Sequence, residues 1–505
     1  LRNLFSNFCF IVVILSIILP LISIIFYFDF TKEFIFSEYL ISVSFFSLYQ
    51  SILSAVLTII LGSLFAYLLV KHNYIYIVRI VIDSLSIMFV LPTIISVLGI
   101  VLFYGNIINI YGLHGILIAH VVLNVPLVTR VLIQSLDDIS PNEKSLARQM
   151  GLNHLGFFFA SEWPVIKKNI PSLFVLVSFI CFVSFTPILI LGGGPKYSTI
   201  EVAIYQSVIF LNNYNQAVIL LMLQILICCS IFIFFFKSFK SNNFILDDRR
   251  RNINNNSYSF KYIFDYLLIF IFTIFIFSPV FYIIIKGVND KFIFVIQSDF
   301  FFSSLITTLK ISFFSGLLAL LLTFGNLEFV RRSKNKRELW FYLLIIFSPA
   351  IIAVGYYIFI NEFLRLSIPS IIIVIIVNTI FILPFSYNYL SPSYLRISQE
   401  HSNLSESINL YGFKKFVIAD LSRLKRPLIN TFCISSILSS SDLVIISFFG
   451  TNDLSTLTQT IYRLLGSYRI EEARALSLLF LVYCLLYFII PKYILGRTYK
   501  NAPFN

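Results

Sequence analysis

A chain of 505 residues that is 58% hydrophobic and 12% charged, with a mean hydropathy of +0.91, carries more apolar surface than a water-soluble fold can bury. Its formal net charge of +13 does not point to nucleic acid. Roughly 28 of the 37 lysines and arginines fall in loops on one predicted side, the bias that orients membrane proteins.

The fold class that remains is all-α and polytopic. Apolar stretches recur at lengths that cross roughly 30 Å of hydrocarbon as helix. In chain order they are 8–28, 44–70, 78–103, 113–133, 172–191, 216–236, 263–285, 303–329, 339–360, 368–390, 428–448 and 474–494, about twelve spans. The first has no small-residue cleavage pattern and is read as a retained helix rather than a signal peptide. The basic loops place both termini on the cytoplasmic side. All six cysteines lie inside apolar runs with no CxxC spacing, so they read as small core residues rather than a disulfide or metal framework.

Between spans five and six, Gly192–Lys196 (GGGPK) lacks the spacing and the final Ser/Thr of a phosphate-binding loop, and reads as a turn. After span six comes 237–262, polar, basic and rich in asparagine, which reads as a cytoplasmic linker. It divides the chain into a first repeat, 1–236, and a second, 263–505. Six spans per half make the two repeats parallel. Landmarks support the duplication. Gly151 and Gly412 lie 261 residues apart, Pro126 and Pro384 258, and Ser198-Thr199-Ile200 matches Ser455-Thr456-Leu457 at 257.

The loop Ser140–Pro171 of the first repeat has helix chemistry of its own. Ser140 can accept a backbone N–H at a helix start and Glu143 can reach back, a capping box, with Pro141 at the first helical position. Gly151 suits a left-handed stop. Beyond it Leu152, Leu155, Phe158 and Phe159 predict a second short helix with an exposed apolar side, suited to a groove on a partner or to the protein's own base. Ser402–Pro427 is a second version.

Polar residues inside spans are costly in lipid and tend to face a passage or another helix. Asp442 is either a gate or passage residue or one half of a helix–helix bond. Asn124 and Asn378 sit near the matched prolines and are candidates of the same two kinds. There is no HExxH, no His/Cys ligand cluster, no Walker loop and no pairing of Ser, His and Asp. No catalytic residue, metal or cofactor is therefore assigned, and the chain is read as a transport subunit rather than an enzyme.

The two loops resemble the EAA loop of permease subunits in binding-protein-dependent ABC importers. The first copy offers Ser145, Ala147, Gly151, Trp163 and Pro164, without the motif's glutamate at 145. The second offers Glu406, Gly412 and Leu424, without the final proline. Further stretches look like the fused-repeat permeases of bacterial thiamine importers: Glu162-Trp163-Pro164, Leu191 to Pro195, Thr199-Ile200-Glu201, Ala203 to Gln206, Leu424 to Leu428 and Gly466 to Arg469. Iron(III) permeases share the doubled architecture and are the rival. This resemblance implies two copies of a cytoplasmic ATPase, each gripping one loop, a periplasmic binding protein at the outer loops, and residence in a bacterial inner membrane. A different class, an ion-driven secondary transporter, would need charged relays that these apolar spans lack.

Overall fold

The computed structural model describes residues 2–27, 38–152, 154–239, 263–333, 347–365, 368–400, 421–451 and 454–500. Among them every regular element is helical. The first half contains α1 (Arg2–Tyr27), α2 (Glu38–Lys71), α3 (Tyr76–Val90), α4 (Thr93–Tyr104), α5 (Leu113–Asp137), α6 (Pro141–Gln149), α7 (Trp163–Phe182), α8 (Thr186–Leu191), α9 (Ile200–Ile209) and α10 (Tyr214–Phe239). The second half contains α11 (Ile263–Gly287), α12 (Phe292–Gln297), α13 (Asp299–Ser333), α14 (Pro349–Ile358), α15 (Ser370–Glu400), α16 (Leu421–Ser441), α17 (Val444–Phe449), α18 (Leu457–Gly466) and α19 (Ile470–Lys500). Nine helices among the described residues are long and apolar enough to cross a membrane. The protein is a multi-pass, all-α membrane protein.

Three predicted spans are not continuous helices. Span 78–103 is two helices, α3 and α4, parted at Leu91-Pro92, because proline cannot donate to the preceding turn and biases its neighbour to extended backbone. Span 172–191 starts earlier, at Trp163, and breaks between Phe182 and Thr186. Span 428–448 begins at Leu421 and breaks at Asp442-Leu443 before the six-residue α17. Span 339–360 is described only from Phe347 onward, and the linker 237–262 lies outside the described residues from 240 on.

The helix pattern repeats along the chain. α2 and α13 start 261 residues apart, α5 and α15 257, α8 and α17 258, and α9 and α18 257.

The chain forms two compact units that are not simply its two halves. One comprises Ile35–Ala203 with Leu226–Ile283; the other comprises Leu1–Phe34 and Ile204–Ile225 with Ile284–Asn505. In the first, α2 packs on α5 and α7, and most of α11 joins them. Phe272 of α11 stacks on Phe65, with centroids 5.1 Å apart. Tyr104 donates to Ser278 or accepts from it at 3.1 Å. Asp265 takes Lys71 at 2.8 Å and the His72 imidazole at 2.9 Å.

In the other unit α13 packs on α15 and α16, and α1 lies against α13 and α14. Phe10 stacks on Phe329 at 4.1 Å, and Ser23 donates to the Gly355 carbonyl at 2.9 Å. Gly355 is required there, since any Cβ would run into the Pro20 backbone. Small residues admit close helix approach, and packing rather than hydrophobic exclusion holds helices together in lipid.

Candidate functional site

The loop that opens at Ser140 folds much as its residues dictate. α6 starts at Pro141, and the Glu143 N–H donates to Ser140 Oγ at 3.2 Å. The capping box closes differently from the expectation, because Glu143 Oε1 accepts from the Ser140 hydroxyl itself (3.3 Å). Gly151 takes a left-handed φ of +68°. The Leu152 N–H then reaches back to the Ala147 carbonyl at 3.1 Å, the six-to-one bond that closes a helix end around such a residue.

Residues 154–162 do not form the separate second helix that the apolar spacing predicts. A short turn, His154–Phe157, leads into a π-helical turn, Phe158–Glu162, that runs straight into α7. Such turns carry one extra residue and re-aim the side chains around them. Phe158 is held edge-on against Tyr67 of α2 at 4.9 Å, and Trp163 lies 6.1 Å from Phe158.

This local fold sets the predicted residues in different surroundings. Ala147 is buried, and Gly151 and Pro164 are exposed. Ser145 lies in α6. Leu146, Met150, Leu152, Phe159 and Trp163 are all exposed, giving an apolar surface flanked by the exposed Lys167 and Lys168. Of the second version, Glu406 and Gly412 lie outside the described residues, while Leu424 is buried in the first turn of α16.

Asn124 and Asn378 belong to two buried polar nodes. In one unit, Ser54 Oγ and His120 Nδ1 are 3.0 Å apart. Asn124 donates to the His120 carbonyl at 2.9 Å and to Cys181 Sγ at 3.5 Å, while Gln50 donates to the Cys181 carbonyl at 2.9 Å. In the other unit, Ser315 and Ser439 hydroxyls are 2.9 Å apart and Asn378 donates to Ser439 at 3.2 Å. Ser54 matches Ser315 at 261 residues, and Cys181 matches Ser439 and His120 matches Asn378 at 258. The register thus pairs Asn378 with His120, not with Asn124. Sequence reasoning passed over His120; an imidazole deep inside the apolar run 113–133, beyond His114 at its edge, was its signal.

Asp442 stands at the break between α16 and α17. Its Oδ2 accepts the Ile445 N–H at 2.8 Å and its carbonyl accepts from Thr458 at 3.1 Å, so the carboxylate satisfies backbone left open by the break. On the far side of α8, Gly193 and Gly194 have φ of +68° and +130°, and the stretch is a turn, as its composition predicts.

The described residues contain no cluster of three or more His, Cys, Asp or Glu able to hold a metal. The arrangement comprises an exposed apolar surface along α6 and the start of α7 and two buried polar nodes beside helix breaks.

No protein-family model matches the chain. It is 29% identical to the thiamine transport system permease protein ThiP of Escherichia coli (strain K12), over 92% of this chain and 91% of that protein. It is 29% identical to the protein of that name from Haemophilus influenzae, over 92% and 90%, and 26% identical to the one from Brucella abortus (strain 2308), over 89% and 87%. A multi-pass helical chain similar to permeases over about nine-tenths of its length is a membrane transport permease. Along about nine-tenths of its length the chain is similar to these thiamine transport permeases.

Proposed function

We propose that this chain is the membrane-spanning subunit of an ATP-driven importer for thiamine and its phosphates in a bacterial inner membrane. The similarity to thiamine transport permeases over about nine-tenths of the chain carries this reading. In it, the two halves 1–236 and 263–505 are parallel repeats, and the end bearing Ser140–Pro171 faces the cytoplasm with both termini. A periplasmic binding protein delivers solute to the opposite end, near 192–215 and 449–472. Two copies of a cytoplasmic ATPase hydrolyse ATP, one gripping Ser145, Ala147, Gly151, Trp163 and Pro164, the other Glu406, Gly412 and Leu424. The exposed apolar surface beside Gly151 supports that role, because a bare helix–turn with one greasy side suits a groove on a partner.

ATPase closure then favours one arrangement of the helices and release favours the other, so each partner biases a two-state element. Asp442, at the break between α16 and α17, and Asn124, Asn378 and His120, in the two polar nodes, are the proposed lining of the passage. The deciding experiment is uptake of labelled thiamine into proteoliposomes holding the chain with its ATPase and binding protein. ATP-dependent accumulation of thiamine supports the reading; accumulation of ferric iron instead, or uptake that ignores ATP, overturns it.

A further inference from the structure

Near the last turns of α13, Glu328 is buried to 1% exposure. A carboxylate in such a place is costly unless both oxygens are engaged. Here they are: Oε1 accepts from Arg331 Nη2 at 2.7 Å, and Oε2 accepts the hydroxyl of Tyr394 on α15. Tyr394 is itself buried, edge-on to Phe324 at 5.8 Å.

The position of Tyr394 gives this bond its meaning. Pro392, two residues earlier, lies inside α15 and has no N–H for the carbonyl one turn back. The helix lacks one of its own bonds there, so the course of its last turns depends on what its side chains hold. Those turns end at Glu400, at the threshold of Ser402–Pro427, the second proposed ATPase handle. The next described helix, α16, packs on both α13 and α15, with Leu424 buried in its first turn.

The first repeat has a counterpart. By the 261-residue register of α2 and α13, Tyr67 stands where Glu328 stands. Tyr67 packs on Phe158, in the π turn inside the first handle. In both repeats the residue at this position touches the handle region, a turn inside the handle in the first and the helix that leads into it in the second.

We propose that Glu328 and Tyr394 form a positioning clasp for the second handle, through which ATPase movement reaches α13. An apolar pair would fill the space at lower desolvation cost; an acid and a hydroxyl add a fixed direction, which a lever needs. This rests on the reading that Ser402–Pro427 binds an ATPase.

The test uses the complete transporter in proteoliposomes, reading ATPase activity with and without the loaded binding protein, together with uptake. Tyr394→Phe removes one hydroxyl and keeps the ring. Glu328→Leu removes both acceptors, and Glu328→Gln keeps one for the tyrosine. The expected result is full ATPase association and normal basal hydrolysis in all three. Stimulation and uptake fall roughly fivefold or more in Tyr394→Phe and Glu328→Leu, the worth of one buried hydrogen bond, and are largely kept in Glu328→Gln. Wild-type stimulation in both deficient variants overturns the clasp. So does a loss of ATPase association by Tyr394→Phe that merely tracks a lowered melting temperature. A wild-type chain that binds no ATPase overturns the proposed function instead, and the clasp with it.

Discussion

Ser47 and Thr308, 261 residues apart, make the same bond. Ser47 Oγ accepts the Ile200 N–H and Thr308 Oγ1 the Leu457 N–H, each at 2.9 Å, and each capped residue opens a ten-residue helix. The same helix cap, supplied from a distant element, thus occurs twice along the chain. Ser47→Ala and Thr308→Val each leave a buried N–H unpaired, which costs about 1–3 kcal/mol. Detergent-solubilised protein should lose that much in each case, and the double variant the sum, since the two bonds share no partner. Chemical unfolding of the three variants measures it.

Gly151 has open space where a Cβ would sit, so its demand is purely conformational. Gly151→Val forces a β-branched residue into the left-handed region at a cost of about 1–2 kcal/mol, relieved by unwinding the end of α6. Uptake in proteoliposomes should drop sharply while the melting temperature holds. Gly151→Asn, which tolerates that conformation, should keep both.

Gly355 makes the opposite demand, for room. A valine there meets the Pro20 backbone and disturbs the carbonyl that receives the Ser23 hydroxyl. Overpacking of about 1–3 kcal/mol is expected. It should appear as a lowered melting temperature together with faster proteolysis in α1 than in the rest of the chain.

His72 sits just past the end of α2, and burial holds its imidazole below the ordinary value despite the pull of Asp265. The folded state therefore binds this proton less readily than the unfolded one. The stabilisation is complete above about pH 6.5 and is lost as pH falls below it. Melting curves between about pH 7.5 and about pH 5 should show wild type declining more steeply than His72→Gln.

Much of this was legible in the chain, for local reasons. Hydropathy found the long helices, because a helix in lipid must satisfy its own backbone and present apolar side chains. Ser140, Pro141 and Gly151 announced α6, since capping is chemistry between neighbours. The break at 183–185 was hidden, because a largely apolar run reads alike whether or not the helix is continuous. Leu91-Pro92 and the serine-rich stretch ending at Asp442 were visible signals inside spans read as one.

Long-range packing left no such trace. Nothing near Pro20 indicates that it will meet Gly355, and nothing near Asn378 indicates that it will meet Ser439. Tyr394 and Glu328, separated by 66 residues, were unremarkable apart.

The membership of the two compact units bears on how the protein is made. Because most of α11 belongs with Ile35–Ala203, a nascent chain halted before residue 263 has an unfinished bundle however long it waits in the bilayer. The N-terminal helix, though made early, must idle until α13 and α14 arrive hundreds of residues later. Severing the gene at 237–262 would not yield two self-sufficient pieces; each fragment would carry the other's missing stave.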